Sequence, residues 1–159
     1  MDAEHLTAEE GEPSRLLIFK AGGEMLGVAA DEAEEAVAWR RPTPLPRAPQ
    51  AVLGVVSVRG RMLTLLDPLA LVQEERDGEA STFSHIIPLR GDEQLALAAA
   101  GELEVIEIPA GELVMAVQDA GSSAVLGIAA HEGRRITVLK VGELFAVAMQ
   151  GTERRRKRF

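Results

Sequence analysis

The chain contains no cysteine and no tyrosine, and its rings amount to four phenylalanines and one tryptophan. Without thiols there can be no disulfide, no thiolate metal site and no cysteine nucleophile, and this composition fits a reducing cytoplasm. So few rings leave no stacking platform for bases, which argues against an oligonucleotide-binding barrel. Long apolar runs are also missing. No stretch approaches the ~18 residues that a membrane span requires. The opening MDAEHLTAEEGEP is acidic and polar, unlike a secretory signal with its basic start and apolar middle. Positive charge is in short supply too. Lys and Arg total 17 against 25 Asp and Glu, a formal net charge of −8, the wrong sign for a surface that neutralises phosphates.

Catalytic patterns are equally sparse. There is no Gly-rich phosphate loop and no G-x-S-x-G elbow. His5, His85 and His131 are scattered and offer no ligand spacing for zinc. His131-Glu132 looks like the start of a zinc-protease helix, but the residue four beyond His131 is Arg135 and the segment reads as a strand turn. The acids Glu24, Asp31, Glu32, Glu34 and Glu35 read as a solvated face of an acidic chain. Nothing here supports an enzyme, a cofactor or a metal.

What the chain does have is a repeat. AVLGVVSVRGRMLTLLDPLALV at 51–72 aligns without a gap to AVLGIAAHEGRRITVLKVGELF at 124–145. The strand-turn-strand before it recurs as well: LLIFKAGGEMLGVAADE, beginning at Leu16, matches HIIPLRGDEQLALAAAG at 85–101. RLLIFKAGG and EMLGVAAD form a hairpin about Gly22-Gly23. DEAEEAVAW at 31–39 favours helix by its Ala and Glu content, or else a turn leading into a strand. RRPTPLPRAPQ at 40–50 holds four of the eight prolines and reads as an extended loop. Two strands then flank an Arg-Gly-Arg turn. Asp67-Pro68 is an N-cap followed by Pro at the first helical position, opening a short helix over 69–75. QEERDGEAST at 73–82 reads as a linker. ELEVIEIP at 102–109 alternates strictly and is a strand, followed by a loop over 110–123.

These elements predict a mainly β protein. A disordered leader covers 1–14, and a single domain covers 15–149, built from half-units at 15–75 (with a returning C-terminal segment) and 83–149. Each half-unit is too small to bury much surface alone, so the two should share an apolar seam. Gly54 and Gly127, inside strand patterns, mark a bulge or close backbone approach. Trp39 is a core or seam residue. The tail from Glu153 to Phe159 carries five basic residues and one acid, +4, leaving −12 for residues 1–152. That basic tail, 150–159, is a contact for an acidic partner or membrane surface, or simply solvated chain.

VLGVVSVRG has almost no polar residue to face water, so both its faces should be covered, one by its own sheet and one by either the second half-unit or a partner protein. Arg59 at its end can meet a carboxylate of the DEAEE stretch, either as a surface ion pair or as an anchor that orients a contact surface.

At these residues the sequence resembles the CheW family of chemotaxis coupling proteins. The likeness runs from FKAGGEMLGVAADEAEEAV through the Pro loop and VLGVVSVRGRMLTLLD to IIPLRGDEQLALAAAGELEVIEIPAGEL, roughly 15–149. It implies two intertwined five-stranded β-barrels with a few short helices and a hydrophobic seam, and no catalysis. It also implies a cytoplasmic adaptor joining the regulatory domain of a CheA-type histidine kinase to the tip of a methyl-accepting chemoreceptor at membrane-associated arrays. A protein that binds only one of these partners is the alternative. Matched residue by residue, the contact set is Glu35, Gly54, Val58, Arg59 and Gly60. Ser57 stands where the family has Asn, Val58 where it has Leu, Thr64 where it has Pro, and Ala33 where it has Val, so some contacts are smaller.

Overall fold

The computed structural model describes residues 13–72, 82–91, 93–115 and 124–149. The leader up to residue 12, the linker over 73–81, the stretch 116–123 and the basic tail lie outside the described residues.

Ten strands carry the chain: β1 (Ser14–Ala21), β2 (Glu24–Ala29), β3 (Val37–Ala38), β4 (Val52–Val58) and β5 (Arg61–Leu66), then β6 (His85–Pro88), β7 (Leu95–Ile108), β8 (Leu113–Met115), β9 (Val125–His131) and β10 (Arg134–Leu139). Among the described residues helix is confined to α1 (Pro68–Val72), 3-10 turns at Ala30–Glu32 and Val141–Glu143, and a helical turn over 144–149. The protein is mainly β, as its alternating apolar pattern requires.

Three hairpins, β1–β2, β4–β5 and β9–β10, close through two-residue turns in which both residues have positive φ. Gly22-Gly23 does so at 56° and 88°, Arg59-Gly60 at 50° and 80°, and Glu132-Gly133 at 54° and 77°. Turns of this hand match the right-handed twist of the flanking strands. The repeat seen in the sequence is therefore a repeat of turn geometry.

The β1–β2 and β4–β5 hairpins do not pair with strands of their own half of the chain, whereas β9–β10 pairs with β8 of its own half as well as with β2. β1–β2 joins β10 through a parallel pairing (Leu26↔Thr137, Gly27↔Val138) and joins the far half of β7 through an antiparallel one (Leu16↔Ile106). β4–β5 joins the near half of β7, Thr64↔Leu95 to Leu66↔Leu97, and β6 and β3 follow beyond it. One group of strands is thus β7-β1-β2-β10-β9, with β8 at its edge; the other is β3-β6-β7-β5-β4. The half-units at 15–75 and 83–149 trade hairpins, so each group takes strands from both. Equivalent hairpins present equivalent edges, and the sheet joins them across the repeat.

β7 is the shared element. LALAAAG and ELEVIEIP, read as separate strands, run as one strand of 14 residues. Gly101, at φ 71°, is its corner: a β-carbon there would press on the Lys20 side chain, and β1's register against β7 shifts at the same level, between Ile18 and Lys20. The loop expected over 110–123 contains β8, a short strand that exists because Val114 and Met115 pair with Ile128 and Gly127 of β9.

The core has three parts. Leu16, Ile18, Ile106, Ile108, Ile136 and Val138 fill the inside of one strand group, and Val56, Val58, Leu63, Leu65 and Ile86 fill the other. The largest cluster lies between them, with Phe19, Leu26, Leu66, Ile87, Leu97, Leu139 and Leu144 buried together. This is the predicted seam. Trp39 is half-buried, 5.3 Å from Phe83, and packs against the second of these cores. Among the described residues the groups curl without a continuous ladder closing either into a barrel. The ends of the second are tied instead by a segment that leaves β3 and bridges Thr43 to Val55 of β4.

Asp67 caps α1 as expected, its Oδ1 accepting from the Leu69 N–H at 3.1 Å. DEAEEAVAW is not a helix. The chain turns through Ala30–Glu32 and extends into β3, since Ala33 bridges to Leu89 and Val37 pairs with Ile86. Tertiary pairing overrides its helical composition here.

Candidate functional site

Three segments meet at the β4–β5 turn: the turn itself, the extended stretch after Glu32, and the chain leaving β3. Arg59 projects from the turn, and its Nη2 donates to the backbone carbonyl of Glu35 at 3.1 Å. The same nitrogen lies 3.8 Å from the Glu35 carboxylate, whose side chain is 88% exposed. Arg59 meets a carboxylate of the DEAEE stretch, and that carboxylate is Glu35, the one the resemblance singles out.

The stronger pair lies beside it, two residues on from Arg59 and one residue back from Glu35. Arg61 donates through Nη2 to Glu34 Oε1 at 2.6 Å, with the Glu34 side chain only 24% exposed. A charge-assisted hydrogen bond of that length, partly withdrawn from water, holds its geometry better than an exposed ion pair. Arg40 adds a third strut, donating through Nη1 to the Ser57 carbonyl at 2.8 Å. Glu34, one of the DEAEE carboxylates offered to Arg59, is taken by Arg61 instead, and neither Arg61 nor Arg40 carries a sequence signal beyond Arg61 flanking the turn. The partners lie 17 to 27 residues apart along the chain.

The other matched residues fall into two kinds. Gly60 is exposed at the turn, with open space where a β-carbon would stand. Gly54 and Val58 are buried and cannot touch a partner directly. Val58 faces the inner core of its strand group. Gly54 sits under the backbone of Thr43, where a β-carbon would collide with the carbonyl oxygen. Gly127 has the same relation to Val114 on β8. Both glycines admit a crossing segment against a strand, which is the close approach predicted for them. They shape the surface from beneath.

On β4, Gly54, Val56 and Val58 are buried, Val52, Leu53 and Val55 are half-buried, with Leu53 packing against the inner core, and Ser57 alone is exposed. Met62, 59% exposed on β5, adds an apolar contact beside Arg61. The surface at this turn therefore combines two arginines held by carboxylates, a fixed backbone, and uncovered apolar groups.

Elsewhere there is little chemistry. No group of three or more His, Asp or Glu among the described residues could hold a metal ion. His131 lies 3.6 Å from Glu132, a pair of neighbours at the β9–β10 turn. Burial and, secondarily, the nearby Asp31 charge raise the Glu32 carboxyl above its ordinary value of 4.5.

The description CheW-like domain matches residues 15–149. The chain belongs to the CheW-like domain family. Members of this family are scaffold and adaptor proteins of chemosensory signalling rather than enzymes. The CheW-like chain is 27% identical to Protein FrzA of Myxococcus xanthus over 155 residues, covering 91% of this chain and 93% of that protein. Its fold is similar to the crystal structure of the scaffolding protein TtCheW from Thermoanaerobacter tengcongensis. That likeness has a TM-score of 0.70 at 23% identity, covering 84% of this chain and 92% of the other. Among the described residues no helix of the CheW-like chain is long and apolar enough to cross a membrane.

Proposed function

We propose that this CheW-like protein is a non-enzymatic adaptor that couples a methyl-accepting chemoreceptor to a CheA-type histidine kinase. It works in the cytoplasm, beside membrane-associated receptor arrays. Its contact surface is the β4–β5 turn, with Glu35, Arg59 and Gly60 exposed on it and Gly54 and Val58 setting its shape. The observation that carries this reading is the paired anchoring of the two arginines flanking Gly60, Arg59 and Arg61, on two adjacent carboxylates, Glu35 and Glu34. Preorganised guanidinium groups lose less freedom when they engage a partner.

The test is calorimetric titration with a CheA regulatory domain and, separately, with a receptor-tip fragment. Arg59→Glu is expected to weaken at least one of the two by about fivefold or more, as reversal of an interfacial charge does. Unchanged affinity for both would remove the site assignment. Binding of one fragment alone by the unmodified protein would replace the coupling role with a single-partner one.

A further inference from the structure

The internal repeat gives the molecule two equivalent edges, each a strand crossed by a segment lying over its glycine: Thr43 over Gly54, and Val114 over Gly127. Their chemistry differs. Residues 40–61 contain Arg40, Arg41, Arg47, Arg59 and Arg61 and no acid, a formal +5. The repeat-related window, 113–134, contains Asp119, Glu132 and Arg134, a formal −1. The whole chain carries −8, so the first edge is a basic island on an acidic protein.

The backbone lays this island out along β4. Arg40 bonds to Ser57 near the turn, Thr43 exchanges two hydrogen bonds with Val55 at 2.9 and 2.8 Å, and Val52 N–H donates to Pro49 at 3.0 Å. The segment 39–49 thus runs antiparallel beside the strand from one end to the other. Arg41 and Arg47 are exposed on it and have no carboxylate partner among the described residues. Leu45, 43% exposed, lies between them in sequence. Prolines and charges of either sign would suffice to protect a sheet edge. Arg59 and Arg61 are already held by Glu35 and Glu34, which leaves Arg40, Arg41 and Arg47 without a carboxylate among the described residues, and guanidinium matches carboxylate geometry in a way that a generic charge does not.

We propose that the segment 40–49 together with the β4–β5 turn forms one continuous face for an acidic polypeptide segment, with Arg41 and Arg47 as its outer anchors. The inference rests on the turn being a contact surface only for its location; it adds the loop, and the acidity of the partner. A protein of this net charge repels nucleic acid outside the island, and the exposed Leu45 and Met62 are too little apolar surface to enter a bilayer.

Titration of the isotopically labelled full chain with a synthetic glutamate-rich peptide, followed by NMR, tests this. Expected are amide shifts over 40–47 and 57–61, affinity that falls as salt rises, and a loss of about fivefold or more in Arg41→Glu/Arg47→Glu. Both side chains are exposed and unpaired, so the variant should retain the native spectrum elsewhere. Absent shifts, shifts confined to 113–134, or unchanged affinity in the double variant would overturn the proposal. So would tighter binding to anionic phospholipid vesicles or to an oligonucleotide. If Arg59→Glu weakens the kinase or receptor complex while the double variant leaves peptide binding intact, the loop proposal fails and the adaptor reading survives.

Discussion

Gly54 sits directly against the backbone carbonyl of Thr43, with no space for a β-carbon, and Gly127 repeats that contact against Val114. Each glycine lets a crossing segment pass over a strand, and the two together explain why the repeated sequence keeps glycine at both positions. Gly54→Ala and Gly127→Ala should each destabilise the fold by ~2–4 kcal/mol through forced backbone displacement. Gly54 should cost more, because its φ of 146° adds a conformational penalty that is absent at Gly127. Gly142→Ala faces open space and should stay within ~0.5 kcal/mol. Urea denaturation of the three variants checks the order.

The two Arg–Glu pairs at the turn should differ energetically. A double-mutant cycle on Arg61 and Glu34 is expected to give a coupling of ~0.5–1 kcal/mol, given partial exposure of both groups. The Arg59–Glu35 cycle should give close to zero, since its carboxylate is 88% exposed and 3.8 Å away. Equal couplings would mean that the 2.6 Å contact has no stabilising weight.

Arg59 and Glu132 both hold a left-handed backbone conformation that favours glycine and asparagine. Arg59→Asn and Glu132→Asn should each raise stability by ~0.5–1 kcal/mol, measured as a shift in the denaturation midpoint. Their binding phenotypes should separate. Only Arg59→Asn is expected to weaken the partner complex, because strain retained at a contact turn accompanies the side chain's role there.

Glu32 supplies a pH-dependent signature. Its pKa is raised in the fold, by burial first and by Asp31 second, so the folded state holds the proton more tightly than the unfolded chain. Stability from this group is present below the ordinary carboxylate range and is lost as the pH rises through the raised value. Glu32→Gln should therefore raise the melting temperature slightly at pH 7, with the difference shrinking as the pH is lowered through the carboxylate range. A difference that grows toward acid pH would reverse the assignment.

Much of the local structure was legible in the sequence. Strict alternation marked the strand over 102–109, short apolar runs beside turn residues marked the others, Gly22-Gly23 and the residue pairs at 59–60 and 132–133 marked the turns, and Asp67-Pro68 marked a helix start. These depend on residues a few positions apart, and their chemistry acts locally. The family resemblance supplied Arg59 and Glu35, while Arg61–Glu34 and Arg40–Ser57 were not legible because each joins segments that only folding brings together. β8 went unseen for the same reason, since three residues become a strand only when β9 lies beside them.

By itself, then, the sequence determined that this protein is mainly β, repeated in two halves, and devoid of thiol chemistry. The tertiary structure decided which hairpin joins which. Because the halves are alike, a hairpin's apolar faces and hydrogen-bonding edges suit the other half as well as its own, and local pattern cannot separate the two pairings. The chain exchanges them through β7, which turns its corner at Gly101 and passes through both strand groups. The partner strand is selected by the seam that Phe19, Leu26, Leu97 and Leu139 bury in common, a choice made by packing across the whole molecule.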